Sequence, residues 1–212
     1  MPFDLEAWLA VRNPSVPIVQ AGAPVLRRRA REVPASLLGT PALAELVQLM
    51  VDTMRAAPGV GLAAPQIGVP LRIFVAEDSD ERMAHVPEAT RTLRGRRALP
   101  LVVLVNPEVT LVPGDDMTFY EGCLSVRGYG ALVRRANTVV AQGVDERGAP
   151  VTARLAGWPA RIMQHEMDHL NGTLYIDRMI GRSFASDTEL GRLSAVGVDD
   201  VLREIGENSA EE

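Results

Sequence analysis

What most constrains the fold of this 212-residue chain is a change of period. Five short runs, LRIFVA (71–76), LVVLVN (101–106), MTFYEG (117–122), NTVVAQGV (137–144) and PVTARL (150–155), are β-rich and read as strands, with DERGA as a hairpin turn between the last two. Beyond Gly157 the apolar residues move to helical spacing. Pro159 suits a first turn, Ile162, Met163, Met167 and Leu170 supply the apolar positions, and Asn171-Gly172 supplies a stop. Strands that precede one strongly marked helix predict an α+β domain wrapped around it. A second helix is predicted from Thr40-Pro41, with Leu43, Leu46, Val47, Met50 and Met54 in phase, to Pro58-Gly59. The charged stretch at about 77–99 reads as a solvated insertion loop. The tail from Gly181 holds one short amphipathic segment, VDDVLREIG, before the acidic ENSAEE.

In the predicted helix, QHEMDH sets His165 and His169 one turn apart, so both imidazoles share a face with Glu166 beside the first. Such a pair either ligates a metal or packs inside a buried amphipathic helix. A catalytic metal site commonly takes three protein ligands and keeps a position open for water. Two residues compete for the third place. His85 lies in the charged insertion, where an exposed loop histidine is the plain expectation. Cys123 follows Gly122 in EGCLS, where backbone can approach a ligand closely; its plain alternative is a small buried hydrophobe. A further stretch, GVGLAAPQIG (59–68), places two glycines around Val60 and a lone amide, Gln66, after them. No Lys-Ser/Thr follows, which argues against a phosphate cradle and leaves a tight turn as the simple alternative.

Composition bears on which partners to expect. A formal charge of -5 provides no general basic field for nucleic acid or an anionic membrane. No apolar run approaches the roughly 20 residues that span a bilayer. Aromatics are scarce, so the core should be aliphatic, and Cys123 as the only cysteine excludes an intramolecular disulfide. The first residues lack a basic segment followed by an apolar block, and a cytoplasmic location is expected.

GVGLAAPQ, EGCLS and QHEMDH, in that order across residues 59–169, resemble the three signature motifs of the peptide deformylases, metalloenzymes that remove the formyl group from nascent N-formylmethionyl chains. The likeness continues through VNPEV, RRANTVVAQGVDERGAPV and GTLYID and covers most of residues 24–180. It implies a single α+β domain over 1–180, antiparallel β-sheets around the helix that carries HExxH, and a partly disordered acidic extension over 181–212. It further implies that Cys123, His165 and His169 hold one divalent ion, Fe2+ first, with Zn2+, Ni2+ or Co2+ able to substitute. Glu166 becomes the general acid/base. That division of labour agrees with elementary chemistry, because a divalent ion brings the pKa of bound water toward about 7 and Glu166 is placed to hold the proton. The Gln66 amide and the Leu124 backbone N–H would receive the developing oxyanion. Val60, Gly61 and Gly122 would hold the peptide as an added strand, and Trp158 and Ile162, with Val60 and Leu124, would line the methionine pocket.

The implied partner is the N-formylmethionyl peptide of a nascent chain, with neither nucleic acid nor membrane expected. The acidic tail gives no support for the ribosome contact that a basic C-terminal helix makes in some bacterial members. Two departures stand out. Arg127 occupies a position where many members have proline, and the 77–99 insertion is longer than in compact bacterial enzymes and resembles actinobacterial or organelle-type members. Lack of a visible transit peptide favours the bacterial case. Two other functions share parts of the pattern. A zincin-type protease takes its third ligand further along the chain rather than from an upstream cysteine. A blue-copper carrier leaves Glu166 and Gln66 idle and expects its ligands on β-loops.

Overall fold

A computed structural model describes residues 3–11, 16–57, 59–193 and 197–207. Two antiparallel sheets enclose one long helix. The first sheet comprises β1 (Gly61–Ala63), β2 (Ile73–Asp78), β3 (Leu99–Leu111), β6 (Thr138–Val144) and β7 (Pro150–Ala156), in the order β1-β2-β3-β6-β7. The second comprises β4 (Asp116–Cys123), β5 (Val126–Ala136) and β8 (Ala185–Ser186), in the order β4-β5-β8. The helices are α1 (Leu5–Val11), α2 (Pro41–Ala56), α3 (Asp80–Met83), α4 (Glu88–Leu93), α5 (Trp158–Leu170), α6 (Asp187–Leu193) and α7 (Val198–Glu204).

Strand β2 shows how the layers are built. Successive side chains of a strand point to opposite faces. Ile73 and Val75 accordingly join the cluster under α2, with Leu43, Leu46 and Met50, while Phe74 and Ala76 join the cluster under α5, with Ala160, Ile162, Met163 and Leu170. The first sheet is therefore sandwiched between the two predicted helices, and its hydrophobic run is continuous because both faces are covered. Helix α2 starts where the sequence indicated: the Leu43 N–H donates to Thr40 Oγ1 at 3.3 Å and Pro41 occupies the first turn. The core is indeed aliphatic, with Phe74, Phe119 and Tyr175 the buried aromatics among the described residues.

Two expectations need correction. Strand β5 went unmarked because VRGYGALVRRA interrupts its apolar residues with three arginines and two glycines; only Gly130–Val133 and Arg135 are buried. The 77–99 stretch is not simply a solvated loop. Residues 77 and 78 finish β2, Leu99 begins β3, and α3 and α4 lie between, with Met83 buried and Ser79 capping α3. Arg96 makes a two-pronged pair with buried Asp78 at 2.7 and 3.0 Å. Gly95 packs so closely on Gly157 that a Cβ on the latter would meet the Gly95 carbonyl oxygen at 2.6 Å. Charged residues that satisfy one another inside the fold look, in sequence, the same as charged residues facing water. In the tail, β8 and α6 form in addition to the expected helix. VDDVLREIG does form α7, and Leu193, Val201 and Leu202 pack on Leu132 of β5. Residues 208–212 of the acidic terminus lie outside the described residues.

Candidate active site

Each sheet presents one unpaired edge, β1 or β4, to a shared cleft of about 1080 Å³. The β1 side contributes Val60, Gly61 and Gln66; β4 and its turn contribute Gly122, Cys123 and Leu124; α5 contributes Trp158, Ile162, His165 and Glu166. Of the residues that the resemblance placed in the site, His169 alone does not line the cleft, being buried at 1% exposure. His85 is exposed in the insertion and belongs to no such cluster. Arg127, at the departure from the family pattern, is exposed and reaches the cleft.

Cys123 ends β4, and a two-residue turn, Leu124–Ser125, leads directly into β5. The turn is strapped from outside, since Ala21 N–H donates to Ser125 O at 2.7 Å and Gln20 Nε2 to Leu124 O at 3.1 Å. One nitrogen each of His165 and His169 and the sulfur of Cys123 all lie within 4.8 Å of one another, with Cys123 Sγ 3.3 Å from His169 Nε2. One thiol and two imidazoles are a donor set suited to a divalent transition metal. Behind them, His165 Nδ1 bonds Glu121 Oε2 at 2.9 Å, which fixes the ring and directs Nε2 to the centre. Burial disfavours charge on both imidazoles. At His165 the bonds to Cys123 and Glu121 outweigh burial and hold its pKa well above the ordinary value; at His169 burial and the neighbouring His165 push it well below. A neutral His169 keeps a ring lone pair free, and with the Cys123 sulfur and the Glu121-oriented His165 this donor set fits a bound cation.

Glu166 is buried, and burial pushes its pKa up to about 7. Its Oε2 has no hydrogen-bond partner among the described residues, while its Oε1 faces Gly61, where a Cβ would come within 2.2 Å. Gly61 is therefore glycine because the carboxylate occupies the space a side chain would need. Gln66 is oriented by its neighbours. Its Oε1 accepts from Ala63 N–H at 2.8 Å, and its Nε2 donates to Ser125 Oγ at 3.3 Å and approaches Cys123 Sγ at 3.6 Å. The amide NH2 thereby faces the Cys123, His165 and His169 cluster.

Sequence reasoning assigned no role to the charged residues behind the site. Arg135 bonds both Glu121 oxygens, at 3.0 and 2.9 Å, and Asp168 Oδ2 at 2.5 Å. Arg161 reaches Glu121 Oε1 at 2.6 Å, and Arg178 pairs with Asp168 at 2.7 Å through two nitrogens. Burial would raise the Glu121 pKa, but His165 and Arg135 hold it far below the usual carboxylate range. Glu121 was legible only as a letter of EGCLS, and the arginines carry no local signature.

The fold and the site define a class: an α+β protein whose central helix and adjoining β-turn assemble a Cys/His/His cluster that could hold a metal beside an open cleft. Residues 15–184 match the family model described as polypeptide deformylase, and the chain belongs to that family. It is 50% identical over 183 residues to peptide deformylase 3 of Streptomyces avermitilis, covering 86% of this chain and 79% of the relative. It is 42% identical over 180 residues to the chloroplastic peptide deformylase 1A of Solanum lycopersicum, covering 85% of this chain and 65% of that relative, so that it spans less than two thirds of the plant protein. The Met-Ala-Ser-bound class I type b peptide deformylase of Acinetobacter baumannii superposes with a TM-score of 0.68 at 33% identity, over 77% of this chain and 99% of that one. The family is metal-dependent. Among the described residues no helix is long and apolar enough to cross a membrane.

Proposed function

We infer that this chain is a metal-dependent hydrolase that removes the formyl group from the N-terminal formylmethionine of nascent polypeptides and releases formate. The observation that carries the reading is the meeting of Cys123, His165 and His169 with the Glu166 carboxyl and the Gln66 amide at one cleft between two open strand edges. Cys123, His165 and His169 would hold the divalent ion, which when bound supplies a Lewis acid for the formyl carbonyl and for water. The peptide backbone lies along β1 at Val60–Gly61 and along β4 at Gly122, and the methionine side chain enters between Trp158 and Ile162. Glu166, with a pKa raised to about 7, takes a proton from the attacking water and delivers it to the departing α-amine. The Gln66 NH2 and the Leu124 backbone N–H donate to the formyl oxygen as it gains charge. Water is consumed and formate and a free amine result, so the atoms balance.

Fe2+ is the proposed native ion, with Zn2+, Ni2+ or Co2+ able to replace it, and a bacterial cytoplasm the proposed setting. The test is anaerobic purification with metal analysis, followed by formate release from formyl-Met-Ala-Ser. Stoichiometric metal and rapid formate release, without cleavage of internal peptide bonds, are expected. Internal cleavage with an intact formyl group would overturn the reading in favour of a protease. Reconstitution with each ion, comparing activity and Cys123 oxidation after peroxide, tests the iron assignment, for a thiolate beside a redox-active ion is prone to oxidation. An air-stable iron form with reduced Cys123 would refute it.

A further inference from the structure

A second, smaller cavity of about 260 Å³ adjoins the cleft, lined by Arg94, Tyr120, Glu121, Gly122, Trp158 and Leu190. It shares Glu121, Gly122 and Trp158 with the main cleft, so the two spaces are neighbours along the β4 edge. Its lining holds one cation. Arg94, at the end of α4 in the insertion, has no carboxylate partner among the described residues; its guanidinium lies 5.0 Å from the Trp158 ring centre and 5.8 Å from that of Phe119. Tyr120 OH and Trp158 Nε1 are closed off from solvent, and Tyr120 packs with Leu132, Leu193 and Leu202, so Arg94 is the donor that the lining offers a ligand. The one acid in the lining, Glu121, is already engaged by Arg135, Arg161 and His165. Unlike Arg94, the nearby Arg96 is paired, with Asp78.

A ligand for such a site is an anion, and the peptide supplies one. In a strand, alternate side chains share a face and advance about 6.6 Å per pair. A peptide whose methionine fills the pocket beside Trp158 and whose backbone follows β4 from Gly122 toward Tyr120 therefore brings its third side chain, not its second, to this cavity. Building on the deformylase reading, we propose that Arg94 is a specificity-determining residue that binds a carboxylate side chain at the third position of the formyl-peptide. The insertion then acts as a wall of the substrate site.

The experiment compares the C-terminal amides of formyl-Met-Ala-Glu, formyl-Met-Ala-Gln and formyl-Met-Glu-Ala by formate release, and the deformylated amides of Met-Ala-Glu and Met-Ala-Gln by calorimetric binding, so that the side chain is the one carboxylate at the third position. The wild-type enzyme should favour Glu over Gln at the third position about tenfold, mainly through KM, as a charge-assisted hydrogen bond at a partly buried site would give. Raising the salt concentration should shrink the ratio, and Glu at the second position should earn no such preference. Arg94→Met should bring the ratio close to one and Arg94→Lys restore part of it. Arg127→Ala, which removes a different cation of the cleft, should leave the ratio standing. An equal response to Glu and Gln in the wild type, a ratio that survives Arg94→Met, or one lost in Arg127→Ala would overturn the proposal. Should Arg94→Met not fold, the wild-type ratio, its salt dependence and Arg94→Gln, expected to bring it close to one, decide the matter. If no peptide releases formate, the deformylase reading fails, and equal binding of Met-Ala-Glu and Met-Ala-Gln separately refutes the subsite.

Discussion

Glu166 illustrates how much of a site can depend on one carboxyl group with an unsatisfied oxygen. It lies between His165 and His169, the proposed ligands, without belonging to the donor cluster, so Glu166→Gln should retain metal while turnover falls roughly 10²–10⁴-fold. Metal analysis beside kcat separates a proton carrier from a ligand. Gly61→Ala probes the same carboxyl from outside. A Cβ placed 2.2 Å from Oε1 must displace it, and a displacement of about 1 Å at a reacting group costs on the order of 10²-fold in kcat. Unchanged kinetics in that variant would show that the carboxyl position is immaterial. Gln66→Leu should lower kcat about 10²–10³-fold with less effect on KM. It also strips the buried Ala63 N–H of its acceptor, so a loss of roughly 1–3 kcal/mol in stability should accompany it, measurable by denaturant titration. At this scale the motifs were informative because chemistry fixes residue type and spacing together: two imidazoles one turn apart, a thiol beside glycine, an amide after a glycine pair. Glu121 carried no such cue, since a carboxylate that orients a histidine is recognisable only once the fold brings them together.

Among the elements, α5 was legible from its first turn to its stop. Gly172, just beyond its end, has φ near +76°, and a Cβ there would meet the backbone of Arg27 and Arg28 at 2.9 Å. Gly172→Ala should therefore destabilise by about 1–3 kcal/mol, combining strain with a clash, and lower the Tm without altering metal stoichiometry in the folded fraction. Five strands were visible as apolar runs, yet β5, among the longest, was not. Its Arg134 faces outward to Asp116 whereas Arg135 turns inward to Glu121, and a sequence read for alternation alone cannot tell a buried, paired arginine from an exposed one. The insertion misled for the same reason. Arg96 and the Gly95–Gly157 contact anchor it, and both depend on partners remote in sequence.

At the scale of the whole molecule, the two sheets and α5 meet through charge as well as through apolar packing. Glu121 from β4, Arg135 from β5 and Arg161, His165 and Asp168 from α5 form one buried group. Such a group adds little against a well-packed apolar replacement, but removing one member strands the others. Arg135→Met should thus destabilise by about 3–5 kcal/mol and loosen the orientation of His165, with a lowered Tm and weakened metal retention as the two readouts. Full metal affinity in a folded variant would confine Arg135 to stability.

The pair of open strand edges has a consequence for solubility. An unpaired edge on an outer surface is a template on which other chains can add, the usual beginning of aggregation. Here β1 offers only three residues, and both it and β4 border an inward cleft rather than an outer face. An edge recessed in this way offers a second folded copy less to pair with than one on an outer face, while an extended chain can still enter the cleft.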